Sequence, residues 1–177
     1  AALLLAALAV RAGDRVDLLA LDRQVRARVI GASKGEVLPL ITDAMALLEP
    51  ELIESDGGLL ATTVLTVARR RCLLVLLTDL NPAALEAGLV PVLPQLASRH
   101  QILVAATTDP QLAELSAGRA DAAAVYAAAA AERAVGERAR TASLLASHGA
   151  VVIDAPPDRL APALADGYLA LKRAGRL

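Results

Sequence analysis

The chain has 177 residues, 56% of them apolar, and its 18 basic and 19 acidic side chains leave a formal charge of −1. That length suits one domain burying about seven-tenths of its unfolded surface, and the near balance of charge argues against nucleic acid as a main partner. With no Phe or Trp and two Tyr there is no aromatic platform for bases or sugars, and a lone cysteine, Cys72, excludes an internal disulfide and any cysteine-rich metal site.

In chain order, residues 1–12 read as a helix that stops at Gly13, which can take the left-handed conformation. Its apolar start has no Met and no basic flank, so a signal peptide is not expected, and the segment resembles the second half of an amphipathic helix. Residues 15–22 and 25–30 predict a hairpin around Arg23 and Gln24, with the alternating second strand at a sheet edge. Residues 31–35 form a loop and 36–48 have helical spacing. A polar, turn-rich passage over 49–58 leads into a helix over 59–70. The arginines at 69–71 read as its charged end.

Residues 72–80 are an almost unbroken apolar run ending at Thr78 and Asp79, which predicts a central parallel strand buried on both faces, the most buried in the chain. Helix follows over 83–98, broken or kinked at Pro91 and Pro94. A second buried strand covers 101–107, and Asp109 with Pro110 opens a short helix. Residues 121–148 predict an alanine-rich helix, then come a strand at 151–153 and a helix over 159–173. Strands alternating with helices imply an α/β fold, a doubly wound, mainly parallel sheet with helices on both faces and one antiparallel edge strand. No run reaches the length of a membrane span, since Arg11, Arg71 and Glu132 interrupt the candidates. The expected location is cytoplasmic, in keeping with a buried thiol at Cys72.

Few residues could carry chemistry. There is no Gly-x-Gly-x-x-Gly, Gly-Lys-Ser/Thr or Gly-x-Ser-x-Gly pattern. The loop at 31–35 reads as an ordinary surface loop sooner than an anion site. His100 and His148 each lie at a helix end, where they suit the carbonyl pole. Carboxylates close the strands: Asp22, Asp109 and Asp154 read as turn or capping residues, whereas Asp79 reads equally as an ion ligand or as the cap of the helix after it. Ser55 and Asp56, before two glycines and a helix, read either as a plain N-cap or as a second element of the same site.

Four segments taken together resemble a known family: Arg-Ala-Gly-Asp-Arg-Val-Asp-Leu-Leu-Ala-Leu-Asp (11–22), Glu-Pro-Glu-Leu-Ile-Glu-Ser-Asp (49–56), Val-Leu-Leu-Thr-Asp-Leu (75–80) and Asp-Ala-Pro-Pro-Asp-Arg-Leu (154–160). In order and spacing the chain is similar to the bacterial domain of unknown function 58 family, which looks like a von Willebrand factor A domain. The resemblance implies one such domain over 1–177 that lacks its first strand. That strand would lie mid-sheet between 15–22 and 72–79. Those two strands then either close up on each other or leave two unpaired edges.

The adhesion site of such domains joins Asp-x-Ser-x-Ser, a later Thr and an Asp, with a bridging magnesium ion. Asp79 matches the last element and Ser55, with Asp56 beside it, the second. The first has no counterpart here, so the metal site is incomplete. The resemblance further implies a non-enzymatic adaptor that works with a MoxR-type AAA ATPase in assembling protein complexes, in a full-length protein with membrane segments upstream. The competing expectation is a magnesium-dependent phosphoryl-transfer or ligand-binding protein that uses the same Asp79 rim.

Overall fold

A computed structural model describes all residues except Pro50, Leu52 and Arg119. It contains α1 (Ala2–Arg11), β1 (Leu18–Leu21), β2 (Val25–Val29), α2 (Val37–Ala46), α3 (Gly57–Val67), β3 (Leu73–Leu77), α4 (Pro82–Gly88), α5 (Leu93–Ala97), β4 (Gln101–Thr107), α6 (Pro110–Ala117), α7 (Ala122–Ser147), β5 (Val151–Ala155) and α8 (Pro157–Arg173), with one 3₁₀ turn at Val90–Val92. Pro91 and Pro94 do break the helix expected over 83–98, because each removes an N–H donor. Two positions of the turn-rich passage over 49–58, Pro50 and Leu52, lie outside the described residues.

The fold is α/β. β3, β4 and β5 form a parallel sheet in that order, and β1 pairs antiparallel with β2 in a separate two-stranded sheet. Side chains alternate across the parallel sheet. Leu74, Leu76, Ile102, Val104 and Val152 face α3, α5 and α7, whereas Leu73, Val75, Leu103 and Ile153 face α8 and α1. Helices therefore cover both faces, as the alternating element order requires.

The expectation of one continuous sheet with 72–80 at its centre needs correcting. β4 is the middle strand, and it is buried from Gln101 to Ala106. β3 is an edge, part-buried from Leu73 to Leu76, with Leu77 48% exposed. An apolar run states only that both faces are covered; it does not say whether both edges are paired. The two sheets are joined instead by helices. On one side α1 shares a cluster with Val16 and Leu18 through Ala6 and Val10, and its Leu5 packs on the cluster that Leu73 and Val75 also flank. On the other, Leu19 shares a cluster with Leu74, Leu76 and the α3 residues Ala61 and Val64. Of the two expected arrangements, the one with unpaired edges is found.

Two local devices fix the frame. Gly13, at φ 88°, ends α1, and Asp14 after it accepts hydrogen bonds from Tyr168 Oη and, at 2.8 Å, from Lys172 Nζ on α8. Burial pushes the Asp14 carboxyl upward, but those two donors outweigh it and leave it below the usual carboxylate range. This contact puts the C-terminal ends of α1 and α8 at the same end of the sheet. The second device is the approach of α3 to α4. A Cβ built on Gly57 would lie 1.6 Å from the Gly88 carbonyl oxygen, so the helix start can approach only without a side chain.

Gly57→Ala is expected to lower unfolding free energy by about 2–3 kcal/mol or to displace α4, through overpacking against backbone. Gly136→Ala, in the middle of α7 with nothing within 4 Å, should raise it by about 0.5–1 kcal/mol. Urea unfolding of both variants checks the contrast.

Candidate functional site

In open α/β sheets ligands meet the carboxyl ends of the strands. That rim is made here by the residues after β3 and β4 and by the start of α3, which runs back along β3. Asp56 caps α3 through Oδ1, which accepts the Leu59 N–H at 2.9 Å. Its own N–H donates to the Asp22 carbonyl at 3.0 Å. The end of β1 is thereby tied to the start of α3. Ser55, Asp56, Gly57 and Gly88 line an open depression of about 300 Å³.

Asp79 stands on the same rim, exposed, two residues beyond the end of β3. Its carboxylate has no hydrogen bond or ion pair with any described residue. The capping role falls to Asn81, whose side-chain oxygen accepts the Ala84 N–H at 3.3 Å, with Pro82 at the first helical position. The Asn-Pro pair was the legible signal for this cap.

The other strand-end carboxylates are engaged. Asp22 accepts the Gln24 N–H at 2.9 Å and pairs with Arg26 at 2.6 Å, and these contacts, the backbone bond first, hold its carboxyl below the usual range. Arg26 also reaches Glu51 at 2.8 Å, beside an open cavity of about 540 Å³ lined by Arg23, Gln24 and Glu54. Asp109 caps α6 through the Gln111 N–H at 2.9 Å. Asp154 neither turns nor caps. It lies within β5, where Arg138 of α7 at 2.6 Å and the Thr108 hydroxyl at 2.7 Å bind it, and Arg138 also donates to the Thr107 carbonyl at 3.1 Å. This contact fastens the long α7 to the sheet.

Magnesium needs near-octahedral oxygen ligation. Asp56 gives one carboxylate oxygen to its helix, and among the described residues no group of three or more His, Cys, Asp or Glu is placed to hold a metal ion. Asp79, Ser55 and Asp56 therefore share a rim without forming a magnesium cage by themselves.

The residues away from the rim make internal contacts. His100, 3% exposed, sets Nδ1 3.3 Å from Cys72 Sγ at the opposite end of the sheet, and its Nε2 has no partner among the described residues. Burial, with Arg99 adding to it, lowers the His100 pKa, and burial, with Asp17 adding to it, raises that of Cys72. Both shifts favour the neutral forms, thiol and imidazole. His148, at the end of α7, places Nδ1 2.9 Å from the Leu144 carbonyl, the helix-end role expected of it. In the loop at 31–35 the Gly31 N–H is taken by Asp17 at 2.8 Å and the Ser33 hydroxyl by Glu36 at 2.6 Å, so the chain's own carboxylates use its donors. Among the described residues no helix is long and apolar enough to cross a membrane.

No family model, no curated protein and no solved structure matches this chain.

Asp56→Ala should cost about 1 kcal/mol of unfolding free energy, the usual value of a lost N-cap. Asp79→Ala should stay within about 0.5 kcal/mol of the parent, as for an unengaged surface residue. Chemical denaturation of the two variants side by side checks both values.

Proposed function

We propose that the chain is a protein-interaction module of the von Willebrand factor A type, a non-enzymatic adaptor that docks a partner on the rim of Asp79, Ser55 and Asp56. The observation that carries this reading is the state of Asp79. It is the one strand-end carboxylate, among the described residues, with neither a structural bond nor an ion pair. An exposed charge held on a short link after a buried sheet, with no structural duty, is available to a partner's donors.

Two further features support the family part of the reading. The segments at 11–22, 49–56, 75–80 and 154–160 keep the family's order, and β1 and β3 leave unpaired edges where that fold has one more strand. The resemblance names a MoxR-type AAA ATPase as the partner class. The contact runs from the Asp79 carboxylate to arginine, lysine or backbone N–H groups of the partner, with a bridging divalent ion only if residues upstream of this chain supply the remaining ligands. Phosphoryl transfer on the same rim would need activating groups near Asp79. The two histidines are both committed elsewhere, to Cys72 and to Leu144.

Titration calorimetry with a purified MoxR-type ATPase from the same organism tests the proposal. Asp79→Ala is expected to weaken binding about tenfold or more, the scale of a lost charge-assisted contact, with circular dichroism unchanged. Binding that is unaltered by this substitution, or magnesium-dependent phosphoester turnover that Asp79→Ala abolishes, would contradict it.

A further inference from the structure

α3, α5 and α8 run opposite to the parallel strands they cover, so their C-terminal ends gather where β3, β4 and β5 begin. Arg69, Arg70 and Arg71 stand between the end of α3 and the start of β3, and Arg99 stands between α5 and β4. The register sets Leu73 beside Gln101, so these two links are neighbours. On the other face α8 brings Arg173 and Arg176 to the same end, because its Leu171 belongs to the cluster flanked by Leu73 and Val151, the first residues of their strands. The bond from Lys172 to Asp14 carries the end of α1, with Arg11, to the same place. Residues far apart in sequence thus form one basic pole that flanks the sheet on both faces.

Helix polarity explains only part of this gathering. A cation in the last turn is drawn to the carbonyl end of its helix, which accounts for Arg11, Lys172 and Arg173. α3 and α5 have no basic residue in their last turns; Arg69, Arg70, Arg71 and Arg99 lie beyond them, as Arg176 lies beyond α8. These five are exposed and have no ion pair among the described residues. Carboxylates at the same end are already engaged. Asp14 accepts from Lys172 and Tyr168, Asp17 from Arg15 and the Gly31 N–H, and Glu36 from the Ser33 hydroxyl. Positive charge is therefore left uncompensated at this pole, while Asp22, Asp56, Asp79 and Asp154 stand toward the opposite one.

We propose that this pole seats the protein on an anionic phospholipid surface, with the Asp79 rim turned away from the bilayer. The arginines stand on both sides of the sheet, so a partner that meets them together is broad, on the order of 20 Å across the three layers. α1, α3, α5 and α8 present carbonyl oxygens at this end, so phosphates are met by arginine side chains at arm's length and not by the N–H groups of these helices. Mobile headgroups rearrange around such side chains, whereas the fixed phosphates of a duplex call for donors placed in register. The two open depressions described above lie at the other end, beside Arg23 and Gly57. Each arginine near an anionic surface strengthens binding several-fold, and the attraction decays within a Debye length. The carboxylates of the far end are repelled by the same surface, which fixes the orientation. The seating does not depend on what the rim binds.

Vesicle sedimentation with the 177-residue chain tests the proposal, using phosphatidylcholine vesicles with and without about one-third phosphatidylserine. At an ionic strength of about 0.05 M the chain is expected to sediment with the mixed vesicles alone, and near about 0.5 M binding should be lost as the charges are screened. The triple variant Arg69→Gln, Arg70→Gln, Arg71→Gln should bind about a hundredfold more weakly. A charge-matched triple at the rim end, Arg23→Gln, Arg133→Gln, Arg159→Gln, should stay within about twofold of the parent, its sites being more than a Debye length from the surface. Circular dichroism confirms that both triples are folded. The proposal is overturned by absence of binding to mixed vesicles at low salt, by equal binding to phosphatidylcholine alone, or by equal weakening in the two triples. It is also overturned by duplex DNA binding more tightly than the mixed vesicles at the same salt, or by a concentration-dependent oligomer that the first triple dissolves, since nucleic acid or a second copy would then be the partner.

Discussion

The arrangement depends on packing that spans a break in hydrogen bonding. β1 and β3 belong to two separate sheets, and no ladder joins them. What keeps the hairpin on the parallel sheet is α1 on one face, α3 on the other, and the bond from Asp56 N–H to the Asp22 carbonyl. Backbone pairing is directional and fixes register, whereas apolar packing is neither. The hairpin is consequently placed by helices whose own positions are set elsewhere. α1 is held at its end by Asp14 against Tyr168 and Lys172, and α3 is seated by the contact of Gly57 with Gly88.

The same constraint organises the rim. Asp56 caps α3 through Oδ1 and is fastened to β1 by its own N–H, so its position on the rim is fixed by the fold. Asp22, Asp109 and Asp154 are likewise spent on a turn, a cap and the anchoring of α7. Asp79 is the exception, since Asn81 performs the capping that a strand-end aspartate often does. Among the strand-end carboxylates of the described residues, Asp79 is thus the one left without a structural bond. The histidines are held too, one against a thiol and one against a helix carbonyl.

Much of this was legible in the residues. Gly13 marked the end of α1, Arg23 and Gln24 the hairpin, and Asp109 with Pro110 the start of α6, since each residue type has one dominant local use. Three features were not legible, and the reasons differ. The apolar run at 72–80 shows that its faces are covered but is silent on its edges, so an edge strand and a central one look alike in it. The cap at Asn81 stands two residues after Asp79, and both side chains suit a helix start, so the residue types alone do not separate their roles. The meetings of Gly57 with Gly88 and of Cys72 with His100 join residues about thirty positions apart, and no local pattern announces a tertiary contact. The placement of Asp79, Ser55 and Asp56 on one rim follows from topology, whereas the engagement of Asp56 and the freedom of Asp79 needed coordinates.

Amide hydrogen exchange resolved along β3 tests the central claim most directly. Leu74, Leu76 and Thr78, which face β4, should be protected to nearly the stability of the whole domain, while Val75 and Leu77 exchange orders of magnitude faster through an edge that no described residue pairs. Equal protection at all five amides would mean that β3 is paired on both sides, and the account of an open edge between β1 and β3 would be wrong.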